Sequence, residues 1–331
     1  MNNLIIIDNI YKKLKKTISI DKLKICYDIT EKTFHQLQEM FVDRDLEYTD
    51  ISTITIDDFD IIFRLRKNSE SGFILIDISI KSFDNDIVDL GTLTISDSNK
   101  YKYMAFFEFA NYSLYHVFGY DENNDPYNGL YYLPMIANQL ELKFKSVTSI
   151  ELAIDSSISI IKKIRDYKHN HQDYDMVLNG KRVKDPNTVL PLYGEYYEST
   201  RNGITKKPTL YLHQKDNSFS LKVYDKAREI AVSDKQYIST NKKLFRTELT
   251  IRNEDIKEFC KSLSTIAGLE QYSDYSNILE YLNDDVFLFL LFFKYTKRII
   301  YFIDKRTKVR IYLSDILKVS SKFQNYIALL K

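Results

Sequence analysis

Tyr224 stands between two lysines in the stretch SLKVYDKAREI, and its phenol is a candidate nucleophile. If this stretch is a strand, Lys222, Tyr224 and Lys226 lie on one face, because strand side chains alternate between two faces. A phenol with a pKa of about 10 is a weak nucleophile at neutral pH, whereas neighbouring cations favour the phenolate. Spacing alone favours a second interpretation, in which tyrosine and lysine pack across strands of a half-exposed sheet.

Two further segments carry charged residues where a plain core strand would have none. In IELAIDS, Glu151 and Asp155 alternate with apolar residues and would be about 13 Å apart along a strand. That separation is too long for one metal ion to bind both, although either could bind one together with a carboxylate from a neighbouring strand. In FRTELTIR, Arg246, Glu248 and Arg252 share a face. This pattern fits a structural ion pair, and it also fits a metal ligand beside a phosphate clamp.

Other site chemistries are disfavoured by the local sequence. His169 and His171 have a spacing that would let them share a metal ion in a strand. Their surroundings, DYKHNHQDYD, are polar and do not alternate, which favours a solvated helix end or loop. The glycines at 91, 119 and 203 are isolated, so the sequence offers no glycine-rich phosphate loop and no support for ATP hydrolysis.

The elements that would position these residues follow from hydrophobic periodicity. From residue 51 onwards, alternating or apolar β-branched and aromatic segments predict an antiparallel meander. Strands are predicted again in VTSIELAIDSS, PTLYLHQ, FSLKVYDKARE and LFRTELTIRN, with a hairpin turn at 215–218. Helices are predicted at 31–41, at 133–144, at 157–167 with Ser157 or Ser159 as the cap, and at 253–263 with Asn253 as the cap.

Two successive blocks of strands with helices predict an α+β protein with a large, mainly antiparallel sheet and packed helices. The first block is interpreted as a structural echo of the second, a duplicated β-plus-helix unit, although no sequence repeat establishes it. The apolar run Val286–Phe293 is much shorter than the ~20 residues of a bilayer helix and predicts a buried helix or strand. With no signal peptide, and with Cys26 and Cys260 at neither metal nor disulfide spacing, the sequence predicts no membrane partner and a cytoplasmic location.

Charge is distributed unevenly along a chain whose formal net charge is only +1. Residues 1–60 contain 8 basic and 12 acidic side chains, residues 201–257 contain 13 and 7, and residues 294–331 contain 10 and 2. This asymmetry fits a polyanionic partner on the C-terminal half, and it equally fits a set of solvated lysines.

Three segments in this order resemble the Rep_trans family of replication initiation factors, which includes rolling-circle plasmid initiators and relatives in filamentous phages and mobile elements. They are VTSIELAIDSS, PTLYLHQKDNSFSLKVYDKAREI and LFRTELTIRNEDIKEF. The resemblance covers about residues 90–258 and rests on an aromatic-x-Asp-Lys element followed by a strand with Arg-x-Glu. It divides the chain into an N-terminal region, 1–90, for DNA binding or oligomerisation, a nicking core, 91–265, and a basic C-terminal region, 266–331, that packs on the core.

The resemblance implies an enzyme that binds a replication origin and nicks one strand. In that family a tyrosine attacks the phosphodiester and leaves a 5′-phosphotyrosyl link and a free 3′-OH. Tyr224 matches this nucleophile, and Lys226 matches a second catalytic position. Asp155 and Glu248 match the acids that hold a divalent metal, Mg²⁺ or Mn²⁺, and Glu151 is a weaker candidate.

The resemblance also implies contacts with DNA, for which Lys222, Arg228, Arg246 and Arg252 are the candidates. The expected partner is the origin, single-stranded at the nick site, with a host helicase and a second copy of the chain as further candidates. The sequence departs from the family at 213–214, where His-Gln replaces the usual glycine or serine. Two alternatives stay open, a non-catalytic DNA-binding relative of the same fold and a β-rich phage structural or regulatory protein.

Overall fold

The computed structural model of the chain describes residues 18–42, 48–56, 59–66, 73–82, 87–96, 101–115, 118–120, 126–183, 195–200, 203–213, 219–233, 243–319 and 321–330. The chain divides into two compact units, one formed by Ile20–Ile150 and one by Met1–Ser19 together with Glu151–Lys331. The functional division expected at residues 90 and 265 stays a prediction, and the compact units divide at other positions.

The unit Ile20–Ile150 is dominated by strands that follow one another along the chain. Its elements, with the two strands that extend into the other unit, are β1 (Ile18–Ile29), α1 (Glu31–Val42), β2 (Tyr48–Ile56), β3 (Phe59–Arg66), β4 (Phe73–Ser82), β5 (Ile87–Ser96), β6 (Met104–Phe109), α2 (Asn111–Tyr115), β7 (Gly119–Tyr120), β8 (Pro126–Tyr127), α3 (Leu133–Gln139) and β9 (Leu142–Ser156). Strands β2 to β6 pair successively and antiparallel, which confirms the predicted meander. Their β-branched residues suit the pleated, half-buried surface of such a sheet.

The unit that contains Glu151–Lys331 has more helices. Its further elements are α4 (Ile160–His169), β10 (Tyr174–Leu178), β11 (Lys181–Arg182), β12 (Glu195–Thr200), β13 (Gly203–Pro208), β14 (Leu210–His213), β15 (Phe219–Asp225), α5 (Lys226–Ser233), β16 (Phe245–Arg252), α6 (Asn253–Leu263), α7 (Ile278–Tyr281), α8 (Asp285–Ile299), β17 (Ile300–Asp304), β18 (Arg310–Ile311), α9 (Leu313–Ile316) and α10 (Ser321–Leu329). Short 3₁₀ turns at Gly129–Tyr132, Glu270–Tyr272 and Tyr275–Asn277 complete the two units.

The strands form one large sheet and several small ones. The large sheet has ten strands in the order β14-β15-β16-β9-β1-β6-β5-β4-β3-β2, and a separate four-stranded sheet has the order β11-β10-β17-β18. In the second unit, α4 packs on β15 and β10, and α6 packs on β16. The predicted α+β class, with a large antiparallel sheet and packed helices, is confirmed, whereas the duplication of a β-plus-helix unit stays a prediction.

Helix α8 forms the apolar centre of its unit. Every residue from Phe287 to Phe293 is buried, as the unbroken apolar run predicts, because a helix that is apolar all round must be covered on all sides. Asp284 caps the helix by accepting a hydrogen bond from the amide of Val286 at 2.8 Å. Among the described residues, none of the helices combines the length and apolar character required to cross a bilayer.

The segment after the predicted nucleophile folds differently from the sequence-based prediction. Strand β15 ends at Asp225, and the KARE residues begin helix α5 and do not continue the strand. The Asp225 carboxylate accepts a hydrogen bond from the Arg228 amide at 3.0 Å, and the Lys226 amide donates to the Leu244 carbonyl at 2.9 Å. These bonds satisfy amide groups that a helix start would leave unpaired, which explains the change from strand to helix.

Two helix boundaries also differ from the prediction. The helix predicted at 133–144 ends at Gln139, because Glu141 adopts a left-handed conformation (φ 49°) and the alternating residues that follow form β9. Helix α6 begins at Asn253, so this residue is the first helical residue and not its cap.

Two other helices agree with the prediction. Helix α1 lies where residues 31–41 predict it, and Ser159 caps α4 by accepting from the Lys162 amide at 3.2 Å. The predicted hairpin turn at 215–218 lies outside the described residues, but the strands on either side of it, β14 and β15, pair antiparallel.

Helices α8 and α10 differ in burial, which allows a test of where the unit that contains Glu151–Lys331 is stabilised. Leu291 in α8 is 0 % exposed and Leu329 in α10 is 45 % exposed. Leu291→Ala should lower the free energy of unfolding by about 3–5 kcal/mol, because it leaves a cavity. Leu329→Ala should lower it by less than about 1 kcal/mol. Urea denaturation measures both, and equal losses in the two variants would contradict this account of the core.

Candidate functional site

The polar side chains singled out by their spacing lie on three neighbouring strands, β15, β16 and β9. In the antiparallel register of β15 and β16, Lys222 is opposite Glu248 and Tyr224 is opposite Arg246. Residues directly opposite each other point to the same face of a sheet, so these four side chains share one face. The strand alternation therefore predicts correctly which residues can meet.

Glu248 is the centre of this group. Its side chain is only 3 % exposed, and it accepts a hydrogen bond at Oε1 from the Tyr224 hydroxyl. The ammonium group of Lys222 lies 3.0 Å from its other oxygen, Oε2. Both oxygens of a buried carboxylate are thus engaged, one by a neutral donor and one by a cation, which is how a buried charge avoids a large desolvation cost.

Two ammonium groups lie against the Tyr224 ring. Nζ of Lys222 is 4.3 Å from the ring centroid and Nζ of Lys226 is 5.7 Å from it. Lys226 is buried and forms an ion pair with Glu229 at 2.5 Å, one helical turn away in α5. The two cations expected to share a face with the tyrosine are therefore both close to it, although Lys226 approaches from a helix.

The protonation of Tyr224 is controlled more by burial than by these cations. Tyr224 is 7 % exposed, and this burial is the main reason why the pKa of the phenol lies far above its usual range. The negative charge of Glu248 raises the pKa further, whereas the positive charge of Arg246 lowers it. Burial lowers the pKa of Lys222, but the Glu248 carboxylate outweighs burial, so the net shift is upward and the lysine stays charged. Tyr224 is accordingly a neutral phenol at neutral pH, and its deprotonation needs an acceptor, for which Glu248 is in place.

Arg246 and Asp155 form a buried ion pair with each other. Nε of Arg246 donates to one Asp155 oxygen at 2.7 Å, and an Nη atom donates to the other at 2.6 Å. Arg246 is 1 % exposed, the largest of the fully buried side chains in the described part of the chain. The sequence predicts a phosphate contact for Arg246 and a metal ligand for Asp155. In the structure the two side chains bind each other and connect β16 to the neighbouring strand β9.

The carboxylates that the fold brings together are those of Glu151 and Glu248, each of which offers an oxygen within 4.8 Å of the other. The Thr250 hydroxyl donates to Glu151 at 3.4 Å. Two oxygens bound to one Mg²⁺ are at most about 4.2 Å apart, twice the Mg–O distance, so a small side-chain rotation would let both bind one ion. Carboxylate oxygens are the donors that Mg²⁺ and Mn²⁺ prefer, so this pair fits the predicted metal.

The remaining candidates are at the margin of this group. Arg252 is exposed at the end of β16, and Arg228 is half-buried in α5. His169 is the last residue of α4 and His171 lies in the following turn, where its carbonyl accepts from Lys305 at 2.7 Å. Both histidines are exposed, so the interpretation of residues 169–171 as a solvated helix end and loop is confirmed.

Two acidic residues were not found by reasoning from the sequence. Glu229 becomes a partner of Lys226 only because 226–233 is helical, which places residues three apart on one side. In the unit Ile20–Ile150, Asp21 on β1 is a buried carboxylate that accepts a hydrogen bond from the Tyr115 hydroxyl. Its only signal in the sequence is an acidic residue within the apolar pattern ISIDKLKI.

No protein-family model matches the chain, and no curated protein matches it. The resemblance to replication initiators therefore stays a hypothesis, and the functional argument depends on the residues and their geometry.

The buried Arg246–Asp155 pair can be tested against an exposed ion pair. Arg246→Met should lower the free energy of unfolding by about 3–5 kcal/mol, because it leaves the Asp155 charge buried without a partner. The double variant with Asp155→Leu should lose less than the sum of the two single losses, because no unpaired charge remains. Lys145→Met, which breaks the exposed Lys145–Asp28 pair, should cost less than about 1 kcal/mol. Strict additivity in the double variant would contradict a direct pair.

Proposed function

We propose that this chain is a cytoplasmic replication initiator that binds an origin and nicks one DNA strand by tyrosine transesterification, in the rolling-circle replication of a plasmid or phage. The observation that carries the proposal is the hydrogen bond from Tyr224 to Glu248, because it joins a nucleophile to a proton acceptor. The order of the three motif segments supports the choice of reaction class. A host helicase and a second copy of the chain are the further partners proposed with this function.

The proposed step uses the Tyr224 oxygen as the attacking atom. It forms a bond to the phosphorus, its proton passes to Glu248, and the bond from phosphorus to the 3′ oxygen breaks. The 3′ oxygen takes a proton from water and leaves as the 3′-OH, and the 5′ phosphate stays on the tyrosine. The phosphodiester is conserved in this link, so the reverse reaction can rejoin the strand without nucleotide hydrolysis.

Lys222 and Lys226 fit a role in charge neutralisation. Their ammonium groups lie over the Tyr224 ring, so a phosphate that reaches the phenol would also come close to two cations. Because Tyr224 is buried, the phosphate reaches it only after covering residues move, and the reaction requires an opening step before chemistry.

Glu151 and Glu248 are the residues proposed to hold Mg²⁺ or Mn²⁺. When bound, the ion would polarise the scissile phosphate and neutralise charge in the transition state. Lys222 already contacts Glu248, so the lysine and a divalent ion compete for the same oxygens. Asp155, whose oxygens both accept from Arg246, would act by fixing the strand next to the site.

The second candidate function is DNA binding by a non-catalytic relative. It is favoured by the burial of Tyr224, Glu248 and Arg246. A buried network whose members are all paired can specify the packing of a sheet without taking part in any reaction. The two candidates differ in a single product, the covalent protein–DNA adduct.

The role of Tyr224 can be tested without knowledge of the origin sequence. The full chain is mixed with Mn²⁺ and 3′-labelled single-stranded oligonucleotides of random sequence, and the label that stays on the protein in a denaturing gel is measured. Tyr224→Phe should abolish the adduct, because it removes only the attacking oxygen, while DNA binding is unchanged. Tyr211→Phe is the matched control, since Tyr211 faces Lys222 from the neighbouring strand β14.

Each outcome of this comparison is informative. Loss of the adduct in the Tyr224 variant alone would support the nicking reaction. An adduct that persists in Tyr224→Phe would show that another tyrosine is the nucleophile. Absence of any adduct from the native chain, with intact DNA binding, would favour the non-catalytic function.

The metal site can be tested by binding alone, from the free Mn²⁺ signal in electron paramagnetic resonance. Glu151→Gln and Glu248→Gln should each weaken binding at least about tenfold, because each removes a charged ligand. Lys222→Met should strengthen binding roughly tenfold or more, since it removes a competing cation from Glu248. Lys305→Met is the control, because Lys305 pairs with a different acid, Asp175. Native-like Mn²⁺ binding by both glutamate variants would remove the proposed site.

A further inference from the structure

The connection between β17 and β18 is an ordered turn at the edge of the four-stranded sheet. The Asp304 carboxylate accepts from the amides of Arg306 and Thr307, both at 2.8 Å. The Asp304 amide donates to the Val309 carbonyl at 3.0 Å, and Lys308 adopts a left-handed conformation with φ 61°. These bonds fix the backbone of the turn, so the Cα atoms that carry its side chains have defined positions.

Three basic side chains of this turn and of the first residue of β18 are exposed, and they are referred to below as the basic hairpin: Arg306, Lys308 and Arg310. Within the described residues, no carboxylate forms a close ion pair with any of the three, although the Asp304 carboxylate attracts the Arg306 guanidinium over a longer distance. The acids nearby are already engaged, because Asp304 binds backbone amides and Asp175 pairs with Lys305 at 3.4 Å. The positive charge of the basic hairpin is therefore available to a partner.

Arg310 is held in a defined orientation. Its guanidinium lies over the Tyr301 ring, 5.4 Å from the centroid, and it hydrogen-bonds to Tyr312. Tyr301 and Tyr312 pack against each other with centroids 5.6 Å apart. A planar guanidinium fixed in this way loses little conformational freedom when it binds a phosphate, so Arg310 is prepared for anion binding.

We propose that the basic hairpin contacts the phosphates of duplex DNA. The identity of the polyanion as DNA rests on the proposed function, while the charge and order of the surface do not. Duplex is favoured over a single strand because a cation already lies over each ring beside the hairpin, Arg310 over Tyr301 and Lys297 over Tyr312 at 5.2 Å, which leaves less aromatic surface for the stacking of unpaired bases. Contacts to phosphates hold a protein on the duplex without reading its sequence, so a random-sequence duplex is a suitable probe of the basic hairpin.

The test is the salt dependence of binding to a fluorescent random-sequence DNA duplex, measured by anisotropy with the full chain. The variant Arg306→Gln/Lys308→Gln/Arg310→Gln should lower the slope of log affinity against log salt by about 2.7, at about 0.9 for each phosphate contact. The double variant Arg306→Gln/Lys308→Gln, which keeps the contacts of Arg310 with the tyrosines, should lower it by about 1.8.

The control removes the same number of charges from another exposed surface of the same unit. Lys162, Lys163 and Arg165 on α4 are exposed, and their replacement by glutamine should leave the slope unchanged. Equal effects of the two triple variants would overturn the proposal, because they would indicate net charge and not a binding surface. Loss of affinity for single strands alone would overturn the choice of duplex DNA.

Failure of this inference and failure of the proposed function are distinguishable. If the hairpin variants bind duplex with the native slope while Tyr224 still forms its adduct with oligonucleotides, the inference falls and the nicking function stands. If the slope changes as expected while no adduct forms, the basic hairpin stands and the chain is a non-catalytic DNA-binding protein.

Discussion

The buried carboxylate of Glu248 is the interaction on which the candidate site depends. It contacts Tyr224 and Lys222 on the neighbouring strand and lies within reach of Glu151. A charge that is 3 % exposed is tolerated only if its oxygens are paired, so the identities of its neighbours are constrained together. The same constraint gives the tyrosine an acceptor for its proton. The contacts that stabilise the buried charge are therefore the same contacts that the proposed reaction would use.

The second buried ion pair, between Arg246 and Asp155, extends this polar layer along the sheet. A bidentate pair between neighbouring strands is satisfied at one strand register only, so it adds to the register that the apolar face already specifies. The pair therefore positions Glu248, which is two residues from Arg246 on the same strand, relative to Glu151 on β9. Precise placement of the carboxylates follows from residues that need not take part in any reaction.

The sequence predicted the strands and the shared face of the site because both depend on local alternation. It did not predict that Lys226 begins a helix, because that outcome depends on hydrogen bonds that the Lys226 and Ala227 amides donate to the Leu244 carbonyl, which is distant in sequence. Nor did alternation indicate how the acids and bases pair, since Asp155 and Glu151 look equivalent in IELAIDS. Their different partners, Arg246 and Thr250, follow from the strand order of the folded sheet.

The change from strand to helix after Asp225 gives the two lysines beside Tyr224 different mechanical properties. Lys222 belongs to a strand that is paired on both sides, so its backbone can move only if the sheet itself is disrupted. Lys226 belongs to the first turn of an eight-residue helix, and the end of a short helix can open locally while the sheet stays paired. Fraying of α5 would withdraw one cation and uncover one side of the ring, while the phenol, Glu248 and Lys222 stay in register. The access route to the tyrosine would then be a local melting of one helical turn, not a movement of the sheet.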